Sequence, residues 1–163
     1  MLRHSLNGLK YQGQIMGNIS KNFSSWEFVP PEIDESNRPN EWYISEFQVK
    51  IAQFIRDRFG KSVYINTYKL SDPKKLGLVF TQSGTRLGSS STGSALSQHR
   101  FKSGVDPKII GINYEEIRQD IRDNFKLYHD KTGLTTIEKD TKTWLHCDNR
   151  NTAENKLFEV AYK

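Results

Sequence analysis

The chain has 163 residues, 35% hydrophobic and 26% charged, with 24 Lys+Arg against 19 Asp+Glu. That length points to one domain able to bury a core, and the absence of any run of about 18 apolar residues argues against a membrane span. The net charge of +5 favours anionic partners in general, but no dense Lys/Arg block interleaved with aromatics marks a nucleic-acid face.

Met1 to Ile19 lacks the compact apolar stretch of a secretory leader, so no signal peptide is expected. Residues 1–40 are rich in Asn, Ser and Pro, with apolar islands at Phe23, Trp26, Phe28 and Val29. They read as an arm that packs on a domain spanning residues 41–163, with Pro30 to Asn40 as a loop. From Glu41 to Phe59 the residues Ile44, Phe47, Ile51, Phe54 and Ile55 fall at helical spacing, and Gly60 follows as a stop signal.

Val63 to Leu70 predicts a strand, Ser71 to Gly77 a turn-rich break, and Leu78 to Thr81 a second strand. Leu87 to Ser97 is dominated by Ser, Gly and Thr and predicts a loop. Asn113 is a good helix N-cap, and Ile117, Ile121 and Phe125 supply the apolar stripe of a helix to Phe125. Leu134 to Glu138 and Thr143 to Cys147 predict a hairpin around Asp140, Thr141 and Lys142, with a last short strand over Lys156 to Tyr162. The sum is an α+β fold, a mostly antiparallel sheet with helices packed against it.

The single cysteine, Cys147, excludes an internal disulfide. It follows His146 in a predicted strand and should point to the opposite face, as a packing residue and not a nucleophile.

The residues with metal-ligand chemistry are His99 and Asp106, seven apart in SQHRFKSGVD, and His146, forty residues on in TWLHCD. Two imidazoles and a carboxylate make three-quarters of a tetrahedral zinc site, and the open fourth position is what a catalytic zinc needs. His99 and Asp106 differ by an odd number, so one regular strand would point them to opposite faces. A turn or bulge at Lys102-Ser103-Gly104 is required if both are to reach one ion.

Three segments in order, SGTR at Ser83–Arg86, SQHRFKSGVD at Ser97–Asp106 and TWLHCD at Thr143–Asp148, resemble the zinc D-alanyl-D-alanine carboxypeptidase and L-alanyl-D-glutamate endopeptidase family. Phage endolysins belong to that family, and it shares its fold with the Hedgehog signalling domain. The resemblance covers about Asn40 to Arg150. It implies Zn2+ held by His99, Asp106 and His146, with Arg86 gripping a substrate carboxylate or the oxyanion, and Ser97 either touching substrate or shaping the loop. Trp144 is expected to pack beside the metal.

The resemblance also implies a carboxylate base. Many members carry it three residues before the last histidine, where this chain has Thr143. Glu138 is the first choice, because the predicted hairpin brings it beside the strand of His146; Asp148 and Asp140 remain alternatives. The family usually has Gly and Ala where this chain has Lys102 and Gly104. The expected substrate is a stem peptide of peptidoglycan, cut by a monomer or a component of a phage particle. The expected setting is the host cytoplasm before holin-type release, or the virion. The competing expectation is a non-catalytic wall-binding or structural virion protein on the same fold.

Overall fold

The computed structural model describes residues 18–72, 79–150, 152 and 155–161. The expectation for a leader in Met1–Ile19 therefore falls almost wholly outside the described residues. So do most of the Ser71–Gly77 break, Leu78 and Tyr162.

The chain begins, from residue 18, by building core. Phe23, Trp26, Phe28, Val29 and Ile33 are buried. A tight 3-10 turn at Ser25–Phe28 leads into α1 (Pro31–Asp34), which starts on a proline whose missing N–H is no loss in a first helical turn. The stretch from Pro30 to Asn40 is thus partly helical and not the plain loop that its composition suggests. A second 3-10 turn covers Asn40–Tyr43.

Helix α2 (Glu46–Phe59) starts five residues later than its periodicity predicts, because Ser45 caps it. The Ser45 hydroxyl accepts from Gln48 N, and the Gln48 side chain accepts from Ser45 N at 2.9 Å, a reciprocal capping box. Gly60, at φ 61°, ends the helix in the left-handed conformation that glycine adopts without steric cost. Phe47, Ile51, Ala52 and Ile55 form its buried face, each large side chain contributing about 1.5–3 kcal/mol by leaving water.

Strand β1 covers only Val63–Tyr64, far less than the predicted run to Leu70. Ile65, Asn66 and Thr67 continue in buried chain, but single backbone and side-chain bonds to neighbouring segments replace the ladder there. Asn66 Nδ2 donates to Val29 O (2.7 Å) and Asn66 Oδ1 accepts from Ser83 N (2.8 Å), while Thr67 N donates to Phe80 O (2.8 Å). The predicted strand ending at Thr81 is likewise irregular over its described residues.

Two short strands that the sequence did not announce follow: β2 (Gly104–Val105) and β3 (Lys108–Ile109). Helix α3 (Tyr114–Asp123) is capped by Asn113 as expected, its Oδ1 accepting from Glu115 N at 2.9 Å. The chain breaks at Asn124 and re-forms as α4 (Phe125–Thr132), closed by Gly133 at φ 82°. Tyr128 of α4 is fully buried and meets Phe54 of α2 edge-on at 4.9 Å. Strands β4 (Thr136–Lys139), β5 (Cys147–Asp148) and β6 (Phe158–Ala161) complete the chain.

The architecture is α+β. β1 pairs with β3 in a two-stranded sheet, and the second sheet has the order β2-β5-β4-β6. Its pairings are antiparallel except for the parallel β4–β6 edge. Among the described residues no helix is long and apolar enough to cross a membrane.

Register decides which side chains share a face. Val105 and Ile137 both lie opposite Cys147, so one residue on along each strand Asp106, His146 and Glu138 fall level in a row. The bonds Glu138 N to His146 O (3.3 Å) and Leu145 N to Pro107 O (3.4 Å) carry both ladders through that row. Because side chains alternate, Val105, Cys147 and Ile137 fill the core face, fully buried, while Asp106, His146 and Glu138 share the other. Cys147 is therefore a core thiol, pushed well above its usual pKa chiefly by burial.

Candidate metal centre

The odd spacing of His99 and Asp106 is resolved by a change of backbone. His99 sits in a 3-10 turn (Gln98–Phe101), Lys102 takes a left-handed φ of 59°, and the chain then enters β2. The turn falls where it was expected, but Lys102 supplies the unusual dihedral. Gly104 serves closeness instead: a Cβ there would lie 3.1 Å from Gln98 Cβ and from His99 N.

His99, Asp106 and His146 are all buried, and one ligand atom from each lies within 4.8 Å of the others. His99 Nε2 is 3.1 Å from Asp106 Oδ1 and 3.3 Å from His146 Nδ1, which is itself 2.8 Å from Asp106 Oδ1. The other nitrogen of each ring faces an acceptor. His99 Nδ1 donates to Gly84 O (2.7 Å), and His146 Nε2 donates to Asp148 Oδ2 (3.0 Å). With those protons committed, Nε2 of His99, Nδ1 of His146 and Oδ1 of Asp106 converge as three lone pairs. The three side chains lie close enough to bind a metal ion.

Burial disfavours a charged His146, but hydrogen bonds to Asp106 and Asp148 outweigh it and raise the imidazole to about 10. Burial likewise works against the Asp106 carboxylate, yet the two histidines hold it well below its usual range. His99 is shifted down, mainly by burial, with the positive charges of His146 and Arg86 adding to the effect.

Each residue of Ser83–Arg86 supports this arrangement. Ser83 O accepts from Asp106 N (2.7 Å), fastening the segment to the ligand strand. Gly84 points its carbonyl at His99 and packs so tightly that a Cβ would lie 2.2 Å from Phe28 O. Thr85 N donates to Phe28 O (2.7 Å). Arg86 N donates to His99 O (3.1 Å), and its guanidinium reaches Gln82 O by Nε (2.8 Å), Ser97 Oγ by Nη1 (3.4 Å) and Asp106 Oδ2 by Nη2 (3.2 Å). Arg86 is 12% exposed at its side chain and is an inward ion pair that turns Asp106 Oδ1 toward the histidines.

The candidate bases differ in circumstance. Asp148 is fully buried and saturated: Oδ1 accepts from Arg150 N (3.1 Å) and Nε (2.9 Å), and Oδ2 from His146 Nε2 and Arg150. Burial opposes its charge, but His146 and Arg150 hold its pKa below the usual value. Asp140 is exposed on the β4–β5 connection at φ 72°. Glu138 is half-buried, level with His146, and close enough for its charge to help raise the His146 pKa. Among the described residues no side chain donates to the Glu138 carboxylate. Thr143 is exposed, and Trp144 is half-buried with its carbonyl accepting from Thr141 Oγ1 (2.7 Å) and Arg118 (3.2 Å).

Three supports were not read from the sequence. Gln48 of α2 reaches across to Gly104 O (2.9 Å) and Thr85 Oγ1 (3.3 Å), so one residue both caps the helix and braces the site. Lys108, buried over the Phe80 ring at 4.7 Å, donates to Asp106 O (2.7 Å) and to Ser83 Oγ. Burial lowers its pKa to about 8. Arg150 holds Asp148; the alternation His146, Asp148, Arg150 on a strand was the available signal, since it sets all three on one face.

No protein-family model, curated protein or solved structure matches the chain.

Proposed function

We propose that this chain is a zinc-dependent hydrolase of peptide bonds in peptidoglycan stem peptides. The observation that carries the reading is the convergence of one ligand atom each from buried His99, Asp106 and His146, each residue held from behind by Gly84 O, Arg86 or Asp148. A nitrogen-nitrogen-oxygen set of borderline donors suits zinc, and three protein ligands leave a fourth position open. The substrate class rests on the resemblance of SGTR, SQHRFKSGVD and TWLHCD to the peptidoglycan peptidases.

Zinc bound there supplies Lewis acidity and lowers the pKa of water to about 7. The protein's own groups do the rest. Arg86 puts a fixed positive charge beside the ligands, where negative charge develops on a carbonyl oxygen under attack. Glu138, on the same sheet face as His146, accepts the proton of the attacking water and returns it to the leaving amine. Asp148 is assigned to holding His146, because both of its oxygens are occupied. Ser97 sets Arg86 from the loop side. A lysis enzyme or virion component of a phage is the setting that the resemblance suggests.

The test is release of new amino groups from purified peptidoglycan, with zinc and after chelation, for wild type and Glu138→Ala. Zinc-dependent release lost in the variant supports the hydrolase and its base. Release that survives the substitution removes Glu138 from that role. Zinc binding with no release from several wall types would sink the hydrolase reading in favour of a non-catalytic wall-binding protein.

A further inference from the structure

The loop from Leu87 to Ser97 has almost nothing apolar to hold it. Leu87 is half-buried, and Leu96 is 77% exposed. A Ser/Gly/Thr segment of this kind gains little from burial to offset the entropy of ordering it. One side chain supplies the order instead. The guanidinium of Arg100 donates to Ser94 O by Nε (3.1 Å), to Leu87 O (3.3 Å) and Gly88 O by Nη1, and to Ser90 O by Nη2 (2.6 Å). A planar cation with fixed donors can gather several carbonyls at once in a way that a lysine ammonium cannot.

The gathered loop closes on Arg86. Gly93, at φ 74°, sits where a Cβ would lie 2.7 Å from Arg86 Nη1. Ser97 Oγ accepts from that same nitrogen. Ser90 Oγ donates to Gln82 Oε1 (2.7 Å), and the Gln82 carbonyl accepts from Arg86 Nε. The loop thus meets the Arg86 guanidinium along the side away from Asp106.

We propose that Arg100 is the positioning residue for Arg86: it folds the 87–97 loop into a clamp that holds the Arg86 guanidinium against Asp106. The structural part stands on geometry alone; its effect on turnover rests on the hydrolase reading. Neither Arg100 nor the loop supplies a ligand, so the clamp reaches the metal trio only through Arg86 and its ion pair with Asp106.

The experiment uses the full chain with zinc, comparing wild type, Arg100→Ala, Arg100→Lys, Gly93→Ala, Arg86→Ala and the Arg86→Ala/Arg100→Ala double variant. The readouts are the 15N-resolved Arg86 Nε–H signal, amide exchange over residues 87–97, zinc affinity, and kcat with KM on peptidoglycan. In Arg100→Ala the loop amides exchange faster, the Arg86 Nε–H signal shifts and loses protection, and zinc affinity falls no further than it does in Arg86→Ala. Turnover falls by about 10-fold or more in kcat, with no further loss when Arg86 is already alanine, as expected of a residue that acts through another. Arg100→Lys recovers only part of this.

An unchanged Arg86 signal in Arg100→Ala, or losses that add in the double variant, would overturn the proposal. Should Arg100→Ala fail to fold, Arg100→Lys carries the test, because it keeps the charge but loses the fork of donors that gathers the loop carbonyls. Absence of hydrolysis by wild type would count against the hydrolase reading alone, and the Arg86 signal would still decide the role of Arg100.

Discussion

Asp148 Oδ2 lies 3.0 Å from His146 Nε2, the nitrogen facing away from Asp106 Oδ1, so a carboxylate on the same strand face fixes which nitrogen of His146 turns inward. Such a partner orients the ring and raises its basicity toward a metal. Asp148→Ala is expected to lower zinc affinity roughly 10–100-fold. Asp148→Asn, which keeps an acceptor, should lose less. Titration calorimetry of both variants checks this, and affinities equal to wild type would show that Asp148 does not set the ring.

Gly84 has no room for a side chain, since a Cβ would meet backbone atoms of Phe28 at 2.2 to 2.8 Å. Backbone cannot swing aside as a flexible side chain can, so Gly84→Ala must shift the Ser83–Arg86 segment. It is expected to cost about 2 kcal/mol or more in urea unfolding. It should also weaken zinc binding, because the carbonyl that fixes His99 moves with the segment. Wild-type stability together with wild-type affinity would contradict this account.

Arg118 is buried and donates to Glu138 O (3.0 Å), Trp144 O (3.2 Å), Glu115 Oε2 (3.0 Å) and both oxygens of Thr141. It closes the connection between β4 and β5, and so spaces Glu138 from His146. Arg118→Ala leaves several carbonyls without a donor, at an expected cost of about 3 kcal/mol. Denaturant midpoints for the Ala and Lys variants test it; a lysine variant as stable as wild type would mean that charge, not the fork of donors, is what counts.

Glu27 supplies the pH dependence. Burial raises its pKa from 4.5 to about 7, against the opposing pull of Ser24 N and Arg56. A carboxyl whose folded pKa is raised binds its proton more tightly in the folded chain. Stability from this residue is therefore fully present at and below the unfolded pKa and falls as pH rises from there to about 7, by about 3 kcal/mol. Glu27→Gln keeps the acceptor for Ser24 N (3.0 Å) and cannot ionise. The variant should be more stable than wild type at about pH 8 and similar at about pH 4.5, by urea unfolding at each pH. Equal midpoints at both pH values would refute the assignment.

The sequence carried the strongly periodic and well-capped parts of the fold. The apolar stripe of α2, the Asn113 cap of α3 and the pairing of β4 with β5 were legible, as was the face on which Cys147 lies. Strand lengths were not. From Ile65 to Thr67 the residues have strand propensity, but Asn66 and Thr67 bond to Val29, Ser83 and Phe80 in place of a ladder. Asn124 breaks what reads as one helix, and α4 had no clear signal of its own. At the site, the convergence of His99, Asp106 and His146 was expected from the resemblance that their three segments carry, since residue types and spacing alone left it open. Two arginines that organise it, Arg100 and Arg118, were not, because they act chiefly on backbone carbonyls placed by folding, and those partners leave no mark in spacing; Arg150 was missed although its place two after Asp148 marked it.

Cys147 offers one more consequence. It sits beside His146 with its side chain on the opposite face of β5, fully buried between Val105 and Ile137. The lone thiol is thus a native label for the centre of the larger sheet. A thiol reagent can reach it only when those strands part, so its labelling rate times the opening of the sheet rather than access to the metal centre. Zinc bound as proposed, with Asp106 just after β2 and His146 just before β5 as ligands, should slow that labelling, although the reagent and the ion would not share a side of the strand.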